Sequence, residues 1–491
     1  MVVTVMNPTT PEPAEAALPK AASRKRTTTP RPTPQERAAT GKAERKQFPL
    51  ANHAEVARDA TRSDPIALLD EQAASRLPEL VPIRYGRMLV SPFTFYRGAA
   101  RVMASDLAAT PHTSLTVQLC GDAHLSNFGL FGSPERRLVF DINDFDETLP
   151  GPFEWDVKRL CASLSVASRN SGFGRKLRQT IVAAAAARYR AAMTEFAAMR
   201  DIEVWYAHLD TEDLVRQLKS RLDAKRQKVL TRTFDAARTR DSTQALRKLT
   251  QLVDGELRIR SDPPLIVPVR ELVDLSAATD LHAIFHEMIS AYRRTLQPDR
   301  RALLERYHFI DMARKVVGVG SVGTRCWIIL LMGRDELDPL FLQIKEAGVS
   351  VLAEFLRRSA YPNQGQRVVA GQRLMQQASD IFLGWQRFAG IDGVARDFYF
   401  RQLRDWKGAI TVEALLPEGM QLYAEVCAWS LARAHARSGD RIGIAAYLGK
   451  SVAFDRAMVD YAETYADVTE KDHRTLADAV AAGRITAQTG L

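Results

Sequence analysis

The sequence predicts an α+β protein with two lobes, a small antiparallel sheet and a larger, mainly helical part. The small lobe is predicted for residues 311–408, where strand-like runs flank a glycine-rich turn and a further run, FLQIK, ends in Lys345. The larger lobe is predicted from residues 51–310 and 409–491, because helical periodicity dominates there, as in the alanine-rich segment 176–199.

Composition is that of a well-packed protein with a large core. The chain has 491 residues, of which 46% are hydrophobic and 26% charged. Its 4 cysteines are widely spaced and lack metal-ligand spacing, which favours a reducing cytoplasm. We find no apolar run of membrane-spanning length and no signal-peptide core, so no membrane span is expected and a cytoplasmic location is predicted.

The N-terminal residues 1–50 are predicted to be a disordered basic tail. They contain nine Lys or Arg against four Glu, which is half of the net charge of +10, and they are rich in Pro, Thr and Ala. Such a tail is either a solvated linker or a site of weak contact with a polyanion.

The segment Cys120–Leu160 contains the most informative spacing of polar residues. Asp122 precedes Asn127 by five residues, and Asp144, in a DFD sequence, follows Asn127 by seventeen. In phosphoryl transfer one carboxylate orients the attacking hydroxyl, while an amide and a second carboxylate bind the metal ion that bridges the phosphates. Asp146, the second acid of DFD, is a further candidate metal ligand. The alternative is a polar loop followed by a hairpin turn.

This segment resembles the catalytic core of the aminoglycoside phosphotransferase and choline kinase group, within the protein-kinase-like superfamily. That group carries HGDLHxxN, then an IDxxD strand end and a DPxxDL helix start. Here Gly121, Asp122, His124 and Asn127 match the first motif, while Cys120 replaces its leading His.

The resemblance implies roles, a donor and a metal. Asp144 falls at the position of the metal-binding aspartate, and Asp156 matches the aspartate that anchors the catalytic loop from below. His124 is expected to give structural support. ATP and Mg²⁺ are the implied cofactors. The whole chain is similar to a bacterial family of domains of unknown function, number 2252, whose name leaves the biochemical role open.

Residues 315–347 are predicted to form the nucleotide-binding half of the site. They contain a G-x-G-x-x-G pattern, for which a Rossmann turn is the usual rival interpretation. Because the next residues, TRCWIILLM, are typical of a strand rather than a helix, the pattern favours the glycine loop of a kinase small lobe. Glycines allow backbone amides to approach phosphate oxygens closely. The candidate nucleotide-binding residues are Gly318, Gly320, Ser321, Gly323 and Lys345.

A kinase small lobe also contains a helix whose Glu pairs with the phosphate-binding lysine. Glu354 is the candidate here and is included among the nucleotide-binding residues, although it lies only nine residues beyond Lys345. The next helical segment contains no Glu. The partner of Lys345 is therefore Glu354, Glu346 or a non-acidic substitute.

The motifs occur in a rotated order, with the catalytic loop (118–128) and the metal strand (136–146) before the glycine loop and the lysine. Ser430–Gly439, SLARAHARSG, resembles the LARLHA helix that precedes the catalytic loop in the phosphotransferases. The cyclic order is kept, so we interpret the chain as a circularly permuted kinase-like fold. The alternative is that the three matches are unrelated.

Three classes of function remain open. The first is an ATP- and Mg²⁺-dependent phosphotransferase acting on an unknown hydroxyl acceptor. The second is a kinase-like nucleotide-binding protein with nucleotidyl transfer or a regulatory role. The third is a metal-dependent phosphoesterase, because GDAH also resembles the GDxH of that class, although the Asn52-His53 pair lacks the expected Gly. Arg97, beside two aromatic residues, either faces a phosphate or contacts the larger lobe.

Overall fold

The computed structural model describes residues 32–491, apart from residues 59, 61, 213, 215, 217–223, 273–280, 404 and 409. The structure is 53% helical and 16% strand, with small sheets beside a larger helical part. The predicted α+β class is therefore confirmed.

The described residues form helices along most of the chain and strands in two regions of it. The helices are α1 (Pro34–Gln47), α2 (Pro65–Ala73), α3 (Val81–Leu89), α4 (Pro92–Gly98), α5 (Ala100–Ala108), α6 (Phe153–Asn170), α7 (Arg175–Ala198), α8 (Asp201–Tyr206), α9 (Ala224–Arg238), α10 (Ser242–Leu249), α11 (Leu281–Arg293), α12 (Pro298–Leu304), α13 (Gln364–Met375), α14 (Pro417–Ser438), α15 (Arg441–Leu448) and α16 (Ala453–Ala481). The strands are β1 (Thr116–Leu119), β2 (Phe128–Gly132), β3 (Leu138–Ile142), β4 (Leu149–Pro152), β5 (Thr250–Val253), β6 (Glu256–Ile259), β7 (Ile266–Pro268), β8 (His308–Lys315), β9 (Cys326–Met332), β10 (Pro339–Glu346), β11 (Gly384–Ala389) and β12 (Ala395–Gln402).

The small lobe is a six-stranded antiparallel sheet in the order β11-β12-β10-β9-β8-β7. Side chains alternate along β10, so Leu342 and Ile344 lie on one face and pack with residues of α11 in an apolar cluster. Gln343 and Lys345 point to the opposite face. The sheet begins at β7, so the predicted lower limit of the small lobe, residue 311, lies too late in the chain.

The larger lobe is built around α6, which is buried along nearly all of its length because α7 and α16 pack against it. Helix α14 packs along α7, and the main apolar core runs through these helices. Two short antiparallel pairs, β1 with β4 and β2 with β3, lie at its edge and lead into the polar loops discussed below. Among the described residues, no helix combines the length and the apolarity that a membrane span needs.

Helix α13 of the small lobe joins the two lobes. The Arg367 guanidinium donates hydrogen bonds to the backbone carbonyls of Asp146 and Thr148 in the larger lobe, at 2.8 Å each. Just beyond the helix, Gln377 donates to the carbonyl of Phe140 at 2.8 Å. These contacts fix how the sheet faces the polar loops of the larger lobe.

The predicted disordered tail, residues 1–50, is wrong over its second part, because residues 34–47 form helix α1. The Thr33 side chain accepts a hydrogen bond from the Glu36 backbone N–H, and the Glu36 carboxylate accepts one from that of Thr33. The helix packs on α15 so closely that a Cβ at Gly41 would overlap the Gly443 carbonyl. Tertiary packing thus stabilises a segment whose composition is typical of disorder. Residues 1–31 lie outside the described residues.

Candidate active site

The loop that follows β1 is anchored from below by a buried carboxylate. Asp156, in the first turn of α6, accepts hydrogen bonds from the backbone N–H groups of Cys120 (2.8 Å) and Gly121 (3.1 Å). His435 of α14 contacts the same carboxylate at 3.2 Å. Gly121 has a φ of +86°, and a Cβ there would collide with the Glu147 backbone, so the turn requires glycine. The structure places Asp156 where a loop anchor was predicted.

The same loop brings Asn127 under Asp122. The side-chain Nδ2 of Asn127 donates a hydrogen bond to the backbone carbonyl of Asp122 at 2.6 Å. The backbone carbonyl of Asn127 accepts one from the backbone N–H of Asn143 at 2.7 Å. Because the amide nitrogen is used in this way, Oδ1 is the side-chain atom left to bind a cation.

Asp122 is paired with a guanidinium that the sequence did not single out. The Arg159 Nε donates to Oδ1 of Asp122 at 2.8 Å. Burial raises the pKa of Asp122 to about 6, although Arg159 opposes the shift. Arg159 lies three residues after Asp156 on α6, a spacing that puts both on one helix face but is too common to have identified it.

His124 lies beside Asp122 as a neutral side chain. Its Nε2 is 3.7 Å from Oδ2 of Asp122. Burial lowers the pKa of His124 well below 6.5, and the nearby charges of Arg97 and Arg159 lower it further, so this contact is not an ion pair at neutral pH. Its Nδ1 is buried without a hydrogen-bond partner. His124 is placed to shape the loop.

The two acids of DFD meet the lysine of the small lobe. The Lys345 Nζ lies 2.6 Å from Oδ2 of Asp146 and 3.8 Å from Oδ2 of Asp144. The Tyr399 hydroxyl donates to Oδ1 of Asp146 at 2.7 Å. Burial opposes ionisation of Asp146, but the Lys345 charge outweighs it and lowers the pKa of this carboxyl. Tyr399 stands opposite Lys345 in the β10–β12 register, a relationship visible only once the strands are paired.

The glycine loop lies between β8 and β9, and its tip approaches the carboxylates. Gly318 and Gly323 have φ values of +69° and +89°, a region that favours glycine. The Ser321 hydroxyl is 3.5 Å from Oδ2 of Asp146. The loop is held from the other side, where the Gly323 carbonyl accepts a hydrogen bond from the Leu77 backbone N–H at 2.8 Å.

Gly320 is the point at which this loop meets the end of α4. A Cβ at Gly320 would lie 3.2 Å from the carbonyl oxygen of Arg97. The glycine pattern therefore allows a close backbone approach here.

Glu354 does not pair with Lys345. Its carboxylate binds Arg101 at 3.0 Å, and Glu346 binds Arg325 at 3.3 Å. The expected partner from the small lobe is thus replaced by Asp146 of the larger lobe. Helix α13 points a guanidinium, Arg367, at the interface instead of a carboxylate.

The acids of DFD, Asp144 and Asp146, line one cavity of about 380 Å³, whereas Lys345 and Tyr399 lie beside it and are not part of its lining. It contains the loop residues Asp122, His124 and Asn127, and the tip of the glycine loop from Gly318 to Ser321. Acidic side chains outnumber basic ones in the lining: the acids are Glu71, Asp122, Asp144, Asp146, Glu147, Glu346 and Glu354, and the bases are Arg76, Arg97 and Arg101. This excess of carboxylate suits a bound cation.

A metal ion at this site would depend on few protein ligands. Among the described residues, no group of three or more His, Cys, Asp or Glu side chains has a metal-binding arrangement. Asn127 and Asp144 offer an amide and a carboxylate oxygen, with Asp146 beside them. Mg²⁺ in phosphate-transferring enzymes is held by one or two carboxylates, substrate phosphates and water, so this donor set fits Mg²⁺.

Glu147 also lines the cavity and was not predicted. Its carboxylate accepts a hydrogen bond from the Val351 backbone N–H at 2.7 Å. Burial raises the pKa of Glu147 to about 7, against the charge of Arg367. It follows Asp144 by three residues, and no motif in the sequence distinguishes it from the other acidic residues.

The Asn52-His53 pair, weighed above for a phosphoesterase, does not lie at this site. His53 is buried against Phe48, Phe153 and Phe454, and its Nε2 bonds the Tyr447 hydroxyl at 2.8 Å. It is not among the residues that line the cavity of Asp122.

Comparisons with known proteins give one match. A search of curated proteins and a search of solved structures found no similar protein. A family model described as "Uncharacterized protein conserved in bacteria (DUF2252)" matches residues 76–479, a span that includes the loop 118–128, the glycine loop and Lys345. The chain therefore belongs to this bacterial family of uncharacterized proteins.

Proposed function

We propose that the cleft catalyses the Mg²⁺-dependent transfer of a phosphoryl group from ATP to a hydroxyl group of an acceptor. The main support is that Lys345 meets Asp146 and Asp144 beside the cavity that contains Asp122 and the glycine loop. Phosphoryl transfer needs a lysine at the phosphates, amide and carboxylate ligands for the metal, and a carboxylate that orients the hydroxyl.

The arrangement of the small lobe supports a kinase-like fold. The chain runs through β8, the glycine loop, β9, β10 with its terminal Lys345, helix α13, and then β11 and β12 before it returns to the larger lobe. This is the succession of a kinase small lobe. Helix α14, which contains the SLARAHARSG segment, contacts Asp156 through His435 below the catalytic loop. That contact supports the circular permutation.

The proposed reaction is an in-line displacement. A bond forms between the acceptor oxygen and the γ-phosphorus, the bond from the γ-phosphorus to the β–γ bridging oxygen breaks, and ADP leaves. Asp122 accepts the hydroxyl proton, while Lys345 and the amides of the glycine loop bind phosphate oxygens. Bound Mg²⁺ would neutralise phosphate charge, held by Asn127 and Asp144 with Asp146 beside them.

Two observations favour nucleotidyl transfer, or nucleotide binding without turnover, as the second candidate. Lys345 has no glutamate partner on α13, and Asp122 is already bound to Arg159. Both features depart from the pattern of an active kinase.

The test needs no knowledge of the acceptor. Calorimetry with ATP is run with Mg²⁺ and with EDTA, on the wild type, on Asp144→Ala, and on Asp335→Asn as an exposed control in the β9–β10 turn. We expect Mg²⁺-dependent binding that Asp144→Ala abolishes and Asp335→Asn retains. Slow hydrolysis is then followed with labelled ATP. Release of orthophosphate supports phosphoryl transfer, release of pyrophosphate supports nucleotidyl transfer, and lack of ATP binding contradicts both.

A further inference from the structure

Arg97 is a guanidinium without a protein partner inside the cleft. It lies at the end of α4 and lines the cavity together with Asp122, His124 and Asn127. In the part of the chain that the structure describes, Arg97 makes no side-chain hydrogen bond or ion pair, and its Nε is buried without an acceptor. The side chain as a whole is partly buried, and it lines the cavity. A buried N–H without an acceptor is costly, so a ligand that supplies an acceptor for Nε would stabilise it.

The other guanidiniums around the cavity each have at least one protein partner. Arg159 binds Asp122, and Arg101 binds both Glu71 and Glu354. Arg76 donates a hydrogen bond to the backbone carbonyl of Val322, next to the glycine loop. The Nε of Arg76 lacks an acceptor as well, but Arg97 is the guanidinium of this lining for which the described residues supply no partner at any nitrogen.

The surroundings of Arg97 keep it charged and close to the reacting groups. Burial lowers the pKa of Arg97, whereas Glu413 and Asp122 raise it, and an arginine stays protonated at neutral pH. Its positive charge contributes to the lowered pKa of His124, which places it beside the catalytic loop. Its backbone carbonyl faces Gly320 of the glycine loop. The guanidinium therefore stands near both halves of the site.

We propose that Arg97 binds a phosphate group in the cleft beside Asp122. The planar guanidinium presents parallel N–H donors that match two phosphate oxygens. The inference rests on the proposed function, in which Asp122 faces the acceptor hydroxyl. The phosphate belongs either to the donor, as its terminal group, or to an acceptor that already carries a phosphate, and the experiment separates these sources.

The first measurement uses inorganic phosphate as the probe, by calorimetry at constant ionic strength. Arg97→Gln should lower its affinity by about tenfold or more, because bonds to a charged partner are lost. Arg101→Gln is the matched control, since it removes the same charge from the same cavity but a guanidinium that is already paired. Arg97→Lys retains the charge but lacks the parallel N–H donors of the guanidinium, and should weaken phosphate binding less than Arg97→Gln does. It also serves if Arg97→Gln fails to fold, as judged by thermal unfolding.

The second measurement compares Mg·ATP with Mg·ADP. If the phosphate is that of the donor, Arg97→Gln weakens ATP binding and leaves ADP binding unchanged. If the phosphate belongs to the acceptor, Arg97→Gln binds both nucleotides as the wild type does. Its Mg·ADP complex then still binds added inorganic phosphate more weakly than the wild-type complex. A wild type without phosphate binding, or equal binding by wild type and Arg97 variants, overturns the proposal. Failure of the proposed function would instead appear as absent nucleotide binding with the phosphate result intact.

Discussion

The ammonium group of Lys345 lies 2.6 Å from the Asp146 carboxylate, although 199 positions of the chain separate the two residues. Lys345 belongs to the sheet of the small lobe, and Asp146 follows β3 of the larger lobe. The pair therefore ties the lobes together across the cleft. It also gives the lysine a carboxylate partner that α13 does not supply.

Breaking this pair should destabilise the protein unless both charges are removed. Lys345→Met leaves the Asp146 carboxylate with two neutral hydroxyl groups, those of Tyr399 and Ser321, and no cation bonded to it, so we expect the unfolding free energy to fall by about 1–3 kcal/mol. Asp146→Asn should likewise destabilise. The double variant Lys345→Met/Asp146→Asn should recover part of the loss, because no unpaired charge remains. Urea unfolding of all four proteins gives the coupling energy. If the loss of unfolding free energy in the double variant equals the sum of the losses in the two single variants, Lys345 and Asp146 do not interact in solution.

Asp144 and Asp122 should have separable roles. Asp144→Ala should abolish Mg²⁺-dependent nucleotide binding, since it removes a carboxylate proposed to hold the metal. Asp122→Asn should leave nucleotide binding nearly intact and lower turnover, because in the proposed reaction this residue acts on the acceptor side. Calorimetry measures the first effect and slow hydrolysis of ATP the second. Equal loss of ATP affinity in both variants would contradict the assignment.

The resemblance to the phosphotransferase motif implied that Asp156 would anchor the loop 118–128, and in the structure its carboxylate accepts hydrogen bonds from that loop. Such contacts can be anticipated because they join a short loop to the helix that follows soon after. The cyclic order of the motifs predicted that Lys345 and Asp144 would belong to one site, and they lie 3.8 Å apart, although Lys345 is not among the residues that line the cavity. Sequence order contains no information about which of several carboxylates ends closest to a lysine from another lobe. That depends on how α13 packs on the larger lobe, so the pairing of Lys345 with Asp146 was found only in the structure.

Helix α1 shows the opposite limit of sequence reasoning. Its charges and prolines are typical of a disordered segment, and its own residues bury little apolar area along the helix. What stabilises it is contact with α15, some four hundred residues away, through Arg37–Asp440 and the close approach of Gly41 to Gly443. A local pattern cannot reveal a partner at that distance.

Activity should fall on the acid side of pH 6. Burial raises the pKa of Asp122 to about 6, and only the ionised carboxylate can accept the hydroxyl proton. At pH 5 about a tenth of the molecules would have Asp122 ionised, and activity should rise with pH through 6. A pH profile of kcat/KM measures this dependence. As the control, the enzyme is returned from acid to pH 7 and should recover its full activity, which excludes irreversible unfolding.

The same shift has a consequence for stability. Because the folded-state pKa of Asp122 exceeds the unfolded value of about 3.9, the folded protein binds the proton more tightly. The contribution of the Asp122 carboxyl to the unfolding free energy is therefore largest below pH 4 and declines as the pH rises towards 6. In Asp122→Asn this part of the pH dependence should be absent. A variant with the wild-type pH profile of stability would show that Asp122 titrates normally.

Asp156→Asn should loosen the catalytic loop. Asp156 is buried and accepts two backbone N–H groups, so its replacement by a neutral amide weakens both bonds at once. We expect the unfolding free energy to fall by about 1–3 kcal/mol and turnover to fall with it. Hydrogen exchange at Cys120 and Gly121 should increase relative to the wild type. Unchanged exchange at these two amides would remove Asp156 from its anchoring role.

Two truncations should separate the basic N-terminal segment from helix α1. A chain that begins at residue 32 should unfold at nearly the temperature of the full-length protein, because residues 1–31 have the composition of a solvated linker. A chain that begins at residue 51 loses α1 together with the buried side chains of Phe48 and Leu50. Burial of these two side chains alone is worth on the order of 3–6 kcal/mol, so its unfolding temperature should be clearly lower.

The two truncated chains also test what the basic segment does. If residues 1–31 act only by screened attraction, their removal should leave Mg·ATP affinity unchanged and should weaken binding to a polyanion such as heparin. The difference in heparin binding should shrink as salt is raised from 50 to about 300 mM. The chain from residue 51 should recover stability when a peptide of residues 32–50 is added, since the peptide restores the contacts with α15. Equal unfolding temperatures for the two chains would show that α1 contributes nothing to the folded body.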